Sequence, residues 1–428
     1  MKKNYAFVIY YNKNNKYSFN ALLGAIETEE SLNNIKIYFI KNKKNFITEI
    51  EHIIKEHKKV IIGVSFFTTQ LWDINKIVKT LREKFGKKIL LISGGPHPTG
   101  DPEGTLKMGF DIVVRGEGEE TIIELLKKIF NDEDFKTVKG ITFFDDNGVM
   151  KFTGKREQVD LNKYHPFAIK YEKFGPIEIT RGCPFACYFC QTPRIFGARI
   201  RHRNIENICK YVEYMKNKNL LDIRFITPDA FSYGSNDGKK INLLELEELL
   251  KNVKKIIKPE GRIFFGTFPS EVRPEHVNEE TIELILKYAD NDNITIGAQS
   301  GSQRILDLCN RGHKVEDVYN AVKITLKAGL KANVDFIFGL PGETEEDINL
   351  TIKVIEDLTK MGAYIHTHAF IPLPQTPFAK SPPKGVNEKT KKIIGKISSK
   401  GFAFGSWQKQ EKIAFKIYQY LNPKPIPK

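Results

Sequence analysis

Along residues 5 to 130, short apolar runs alternate with helix-length segments whose apolar positions recur every three or four residues. The runs Tyr5 to Tyr11, Ile35 to Ile40, Val60 to Ser65, Ile89 to Ser93 and Ile112 to Val114 are predicted strands. Helices are predicted near Ser18 to Thr28, Asn45 to Glu56, Leu71 to Phe85 and Pro102 to Met108, and Glu119 to Phe130 closes the unit. Five strands joined by crossover helices predict a doubly wound, flavodoxin-like parallel sheet. Two further short runs, Ile141 to Phe144 and Val149 to Phe152, flank an Asn-Gly pair and predict a hairpin. With the polar stretch Thr153 to Tyr171, this hairpin reads as a linker over residues 136–173 that packs through Tyr164, Pro166 and Phe167.

From about Phe174 the alternation resumes on a larger scale. Predicted strands are Ile177 to Thr180, Ile223 to Thr227, Arg262 to Thr267, Ile294 to Ala298, Ala332 to Phe338 and Ile365 to Ile371. Helices fit Ile205 to Lys216, Leu243 to Ile257, Glu279 to Tyr288, Val315 to Ala328 and Thr344 to Met361, with another capped near Ser302. Six strand-helix repeats predict a partial (β/α)6 TIM-type barrel over 174–380, open enough at its side for a large substrate. Helical segments at Asn387 to Ser399 and Trp407 to Tyr420 form an expected C-terminal extension over 381–428, with the loop Gly401 to Ser406 between them.

In both architectures ligands gather where strands end. In the first, those ends carry Ser65-Phe-Phe-Thr-Thr69, Ser93-Gly94-Gly95-Pro-His97-Pro-Thr99 and Arg115-Gly116-Glu-Gly118-Glu119. Paired glycines admit close backbone approach to a ligand and hydroxyls can bond its amides, although tight strand-to-helix turns need the same residues. In the second, the first strand runs into Arg181-Gly-Cys183-Pro-Phe-Ala-Cys187-Tyr-Phe189-Cys190. Three thiols within eight residues can converge on one soft metal centre, whether zinc, copper(I) or an iron-sulfur cluster. Zinc usually takes a fourth protein ligand, and no further Cys lies nearby. A cubane cluster on three thiolates keeps one iron open to a small molecule.

This C-x-x-x-C-x-x-C spacing, with aromatic Phe189 before the last Cys, resembles the signature of the radical S-adenosylmethionine enzymes, whose open iron binds the amino and carboxylate groups of S-adenosylmethionine. Later segments are similar to that family too. Ile296-Gly297-Ala298-Gln299-Ser300-Gly301 and Asn310-Arg311-Gly312 resemble its G-x-Q-S-G and N-R-G segments, and Gly339-Leu-Pro-Gly342 its adenine-side glycine motif. The resemblance implies a 4Fe-4S cluster on Cys183, Cys187 and Cys190. It implies S-adenosylmethionine contacts from Phe189, Asp229 (methionyl amine), Glu271 beside Arg273, Gln299 and Ser300 (adenosyl), Arg311 (carboxylate) and Gly339. Capping a helix is the plainer role for Asp229 and Thr344. Residues 1–135 resemble the cobalamin-binding domain attached to many such enzymes, which implies cobalamin near Ser65, Gly94, Gly95, His97 and Gly116. The D-x-H-x-x-G motif that supplies an axial His elsewhere is absent, so the lower face of cobalt is expected to lack a His ligand.

Composition narrows the picture further. Of five Cys, three lie in the one motif, which excludes a disulfide framework; Cys209 and Cys309 read as buried thiols too few for a second cluster. His366 and His368 share a strand face, but no nearby carboxylate or thiol motif accompanies them, so they read as core or rim residues, one of which could transfer a proton. The net charge of +15 comes from Lys and Glu intermixed along the chain, as in Lys41 to Lys58, which suits a thermophile's surface better than a nucleic-acid patch. Neither the start, Met1-Lys-Lys-Asn-Tyr5, nor any apolar stretch reads as a signal or a membrane span, so the chain is expected in the cytoplasm.

Together these features imply a cobalamin-dependent radical enzyme, a methyltransferase acting on an unactivated carbon, with ferredoxin or flavodoxin as electron donor. Gln-Ser-Gly-Ser and Asn-Arg-Gly also resemble methylthiotransferases acting on transfer RNA or protein. Those hold an auxiliary three-Cys cluster in their first domain, whereas residues 1 to 182 contain no Cys. A radical cyclase or ring-rearranging enzyme shares the two domains. A non-catalytic cobalamin or redox sensor has no use for an intact three-Cys motif with adenosyl-binding landmarks.

Overall fold

Apolar runs of three to nine residues, each followed by a helix, pair edge to edge as soon as the helices cover both faces. The computed structural model describes residues 3–41 and 45–423. The readings placed on Met1 and Lys2, on the 42–44 portion of the charged run and on the tail beyond Pro423 lie outside the described residues. The chain divides into two units, Met1–Gly175 and Pro176–Lys428.

The first unit holds strands β1 (Lys3–Tyr10), β2 (Lys36–Ile40), β3 (His57–Ser65), β4 (Ile89–Gly94), β5 (Ile112–Val114), β6 (Ile141–Phe144) and β7 (Met150–Phe152) in one sheet of order β2-β1-β3-β4-β5-β6-β7. The first five are parallel, as the alternation predicts; β5-β6 and β6-β7 are antiparallel. The predicted hairpin is therefore the far edge of this sheet rather than part of a link. The stretch after it packs back on the same unit. The Glu27 carboxylate accepts from the Ile169 and Tyr171 amides at 2.8 and 3.2 Å, and Val159 and Tyr164 cluster with Ala25. Gly24 makes this possible, since a Cβ there would lie 2.6 Å from the His165 carbonyl oxygen. Residues 136–173 thus belong to the first unit.

Helix Leu71–Phe85 illustrates the local logic. Leu71, Ile74, Ile77, Val78, Leu81 and Phe85 form its buried stripe, Asp73 lies in its first turn and Arg82 and Lys84 in its last, and Gly86 ends it at φ +54°. Across the sheet, Phe7, Ile9, Ile61, Ile92, Ile112, Leu125 and Leu126 build the core.

The second unit continues with β8 (Ile177–Glu178), β9 (Thr180–Arg181), β10 (Arg201–His202), β11 (Asp222–Ile226), β12 (Arg262–Phe264), β13 (Asn293–Gln299), β14 (Lys331–Phe338), β15 (Tyr364–Ala369) and β16 (Ala403–Gly405). Its parallel strands run β8-β11-β12 and β13-β14-β15-β16. The two sheets are stitched by the bridge Val272–Ile296 and by the Thr295 amide donating to the Gly266 carbonyl at 2.9 Å. The result is the predicted partial barrel with one added strand. Gly401 to Ser406, expected as a loop, supplies β16. Its pairing needs Gly405, which sits at φ +131° against the Thr367 backbone, where a Cβ would overlap the Thr367 carbonyl oxygen. Among the described residues no helix is long and apolar enough to cross a membrane.

Candidate active site at the strand ends of the barrel

The cysteine loop leaves β9 under tight backbone control. Arg181 grips Glu178 through two hydrogen bonds, Nε to Oε1 at 2.9 Å and Nη2 to Oε2 at 2.6 Å. Gly182 follows at φ +92°, where a side chain would overlap the Arg199 carbonyl, and the Cys183 amide donates to the Gly197 carbonyl at 3.1 Å. The segment after helix Gln303–Leu308 holds the other side: the Tyr188 amide donates to the Cys309 carbonyl at 2.9 Å, and Asn310 Nδ2 to the Phe185 carbonyl at 2.8 Å. This explains why an Asn-Arg-Gly stretch more than 100 residues away belongs with the thiols. It brings Arg311 Nη1 to 3.8 Å from Cys187 Sγ.

Burial pushes the Cys183 thiol up to about 11, with the neighbouring thiols adding to the shift and the Phe185 amide opposing it; burial also raises Cys190. Enclosed thiols of this kind become thiolates when a soft cation takes the proton's place. The surroundings suit the negative charge that follows. Arg273 lies over the Phe185 ring at 3.4 Å, pairs through Nε with Glu275 Oε1 at 2.6 Å and donates through Nη2 to the Arg311 carbonyl. Arg311 Nε and Arg273 Nη1 are buried donors with no partner among the described residues. Three neighbouring thiols beside two unspent guanidinium donors fit an anionic iron-sulfur cluster with a carboxylate-bearing ligand.

Gly297 organises the rest. A Cβ on it would lie 2.8 Å from Arg311 Nη2, 2.8 Å from Gln299 Nε2 and 3.3 Å from Glu271 Oε2. The absent side chain is the space in which those three groups meet, and Arg311 Nη2 donates to the Gly297 carbonyl at 2.8 Å. Gln299 reaches it from φ +70°, beside a register shift in β13. Burial drives the Glu271 carboxyl up to about 8, the adjoining Asp335 raises it further and Arg311 opposes the shift. Gly297 carried a signal in the motif, but its role as a junction depends on which side chains arrive there.

Other predicted groups are spent inside the protein. Asp229 Oδ2 contacts His276 Nδ1 at 2.5 Å and Oδ1 accepts from the Arg273 amide at 3.2 Å, so its carboxylate positions the Arg273 segment instead of facing an ammonium. Ser300, 1% exposed, bonds Thr351 Oγ1 at 3.2 Å and accepts from the Ser302 amide at 3.2 Å, docking the β13 turn onto helix Glu345–Met361. Phe189 packs with Ile305, Cys309, Leu340, Phe370 and Phe378. Gly339, at φ +75°, makes room for the Lys384 backbone. Thr344 caps helix Glu345–Met361 in a reciprocal capping box with Asp347.

At the strand ends of the first unit the groups named for cobalamin are mostly neutral and small, while Arg115 lies over the Phe152 ring and Glu117 accepts from the Val159 amide. Gly95, at φ +95°, lies against Ser65, whose Oγ would be 2.6 Å from a Cβ. The Gly116 amide donates to Thr99 Oγ1 at 3.1 Å, and Gly94 ends β4. His97 is enclosed, with Nδ1 3.2 Å from Thr68 Oγ1, Nε2 3.6 Å from Asp101 and its ring against Phe66. Burial lowers its pKa to about 4, with Asp101 opposing. The imidazole is built into the turn and is not presented to a ligand. The sequence reading did not single out Asn15, whose Nδ2 clamps the Tyr10 and Ser65 carbonyls at 2.8 and 3.1 Å across the β1/β3 switch point, nor the exposed Phe67 and Trp72 that follow β3.

Comparison with known proteins agrees with this division. The model of the radical SAM superfamily matches residues 177–355, and that of the B12 binding domain matches residues 29–126. An uncharacterized protein of Methanocaldococcus jannaschii is 31% identical over 379 residues, covering 78% of this chain and 72% of the relative. An uncharacterized methyltransferase of Pyrococcus horikoshii is 28% identical over 325 residues, 73% of this chain and 67% of the relative. Among solved structures, the radical S-adenosylmethionine methyltransferase TsrM from Kitasatospora setae, with cobalamin and a [4Fe-4S] cluster bound, shares the fold at a TM-score of 0.70 and 16% identity, covering 89% of this chain and 77% of that one.

Proposed function

We propose, for a chain that belongs to the radical S-adenosylmethionine superfamily and carries a B12-binding domain ahead of its barrel, a cobalamin-dependent methyltransferase acting on an unactivated carbon. The observation that carries this reading is the pairing, in one chain, of a cobalamin-type sheet with a barrel whose strand ends gather three thiols, Arg311, Gln299 and Glu271. When bound, the cluster, S-adenosylmethionine and cobalamin supply reductive cleavage of a sulfonium to a carbon radical and passage of a methyl group.

The chain's own residues do the holding and orienting. Cys183, Cys187 and Cys190 would hold the cluster, and Arg311 and Arg273 offset its charge and offer Nε and Nη1 to the methionyl carboxylate. Gln299 presents an amide at the Gly297 junction. Glu271, with its carboxyl held above the ordinary range beside Asp335, stands at the same junction to meet a ligand hydroxyl. In the first unit, Ser65, Gly94, Gly95 and Gly116, flanked by Phe67 and Trp72, would form a cobalamin cradle without a His to cobalt. The enzyme is taken to be cytoplasmic and reduced by ferredoxin or flavodoxin. A methylthiotransferase is disfavoured because residues 1 to 182 contain no Cys for an auxiliary cluster.

Anaerobic reconstitution with iron, sulfide and cobalamin, followed by incubation with S-adenosylmethionine and a reductant, tests the reading. Formation of both 5'-deoxyadenosine and S-adenosylhomocysteine, with cobalamin retained on gel filtration, is expected. Deoxyadenosine alone, with no cobalamin retained, would replace it with a cobalamin-free radical enzyme.

A further inference from the structure

The parallel register of the barrel places Gly297, Asp335, His366 and Phe404 in one row across β13, β14, β15 and β16. His366 Nδ1 lies 3.0 Å from Asp335 Oδ1 and 3.2 Å from His368 Nε2, and one donor atom from each residue lies within 4.8 Å of the other two. Zinc bonds of about 2.0–2.1 Å hold tetrahedral ligand atoms about 3.3 Å apart. The two sides of the triangle that meet at His366 therefore have the spacing of a coordination sphere.

Without a cation, one ring nitrogen serves two partners of the triangle. Nδ1 of His366 is the common partner of the Asp335 carboxylate oxygen and of His368 Nε2, so its one proton is shared between them when it donates. A cation at the centre is a common partner for all three. Gln410 Nε2, at 3.4 Å from His368 Nδ1, makes only a weak contact, while its Oε1 is taken by the Ala369 amide at 2.9 Å. Phe404 stacks on the His366 ring at 4.6 Å and 12°, fixing its plane.

We propose that Asp335, His366 and His368 form a binding site for a divalent first-row transition metal, zinc or iron(II), on the interior face of the barrel. Two His and one carboxylate leave at least one coordination position open, the arrangement suited to a substrate oxygen or nitrogen. His366 is partly exposed on this face, whereas Asp335 is buried. The site would anchor the substrate through a heteroatom next to the Gly297 junction. That role rests on the radical-enzyme reading; the existence of the site does not.

Equilibrium dialysis of the cluster-loaded enzyme against zinc, with zinc and iron counted by elemental analysis, separates the two. One zinc per chain beyond the cluster iron is expected in the wild type. His366→Ala and His368→Asn should each lose it while keeping the iron content and the far-ultraviolet circular dichroism of the wild type. Wild-type enzyme that takes up no zinc overturns the proposal, as do variants that hold zinc as well as the wild type. Neither result bears on whether deoxyadenosine and S-adenosylhomocysteine form.

Discussion

Both units place polar groups where parallel strands end, yet they do it with opposite chemistry. In the first unit the groups are hydroxyls, glycines and backbone amides: Ser65, Gly95, Thr99 and the Gly116 amide, with His97 enclosed and its ring nitrogens turned to Thr68 and Asp101. In the second they are charges: Arg311, Arg273 and Asp335, all buried, and the more exposed Glu271, beside three thiols. A neutral rim suits a large cofactor held over its surface, where no single group must carry charge. A charged, enclosed junction suits a site that stabilises an anionic cluster and an amino-acid ligand, because electrostatic effects gain strength away from water.

The sharpest break in this comparison is expected at the thiols. Cys187→Ala should abolish the broad visible absorbance of the reconstituted cluster and reduce S-adenosylmethionine cleavage to background, because two thiolates do not hold a cubane. Retention of both would remove the charged site from the comparison altogether.

Next in size is Arg311. Its guanidinium touches Cys187 and the Gly297 carbonyl and faces Glu271. Arg311→Ala leaves the buried Gly297 carbonyl without the guanidinium donor, a loss of about 1–3 kcal/mol read from the denaturant midpoint. Arg311→Lys should restore part of the stability but not S-adenosylmethionine binding, since a point charge does not replace the fork.

Glu271 gives the comparison a pH signature. Its folded-state pKa, raised from 4.5 to about 8, means that the folded protein binds the proton that the unfolded chain releases. That contribution is full below about pH 4.5 and is lost as the pH climbs through 8, with a slope well below the roughly 1.4 kcal/mol per pH unit of a fully enclosed group, because Glu271 is exposed and solvent screens it. Chemical denaturation across this window should show the decline in the wild type and a flatter profile in Glu271→Gln. Equal slopes would mean that the carboxyl is ionised in the folded state.

The smallest effect belongs to the neutral unit. His97→Ala should cost about 2–3 kcal/mol by opening a cavity beside Phe66 and unpairing Thr68, while leaving the spectrum of bound cobalamin unchanged. A shifted cobalamin spectrum would assign to His97 the axial role that its enclosure denies.

Much of the fold was legible because it is written locally. Apolar runs and helical stripes locate all five parallel strands of the first sheet and the six of the barrel, since β-branched runs and i, i+4 patterns act within one element. Two edges escaped. The Asn-Gly hairpin reads correctly as a hairpin, but nothing local says that it joins β5 rather than spanning a link. Ala403 to Gly405 is too short to read as a strand until β15 offers its edge.

The site divides along the same line. Three thiols within eight residues are kept near one another by chain length alone, so the reading of them as a metal-type loop comes from the sequence. Asp229 and Ser300 were singled out by position along the chain, and only the tertiary structure decided that His276 and the Arg273 amide take the one and Thr351 the other. It likewise decided that the carboxylate missing from the His366–His368 pair stands on the neighbouring strand, as Asp335. Parallel pairing sets residues of neighbouring strands side by side through crossovers of thirty or so residues, a separation at which no local pattern carries information. Gly297 shows the limit most plainly: the sequence declares a residue without a side chain, and the fold decides that Arg311, Gln299 and Glu271 fill the space.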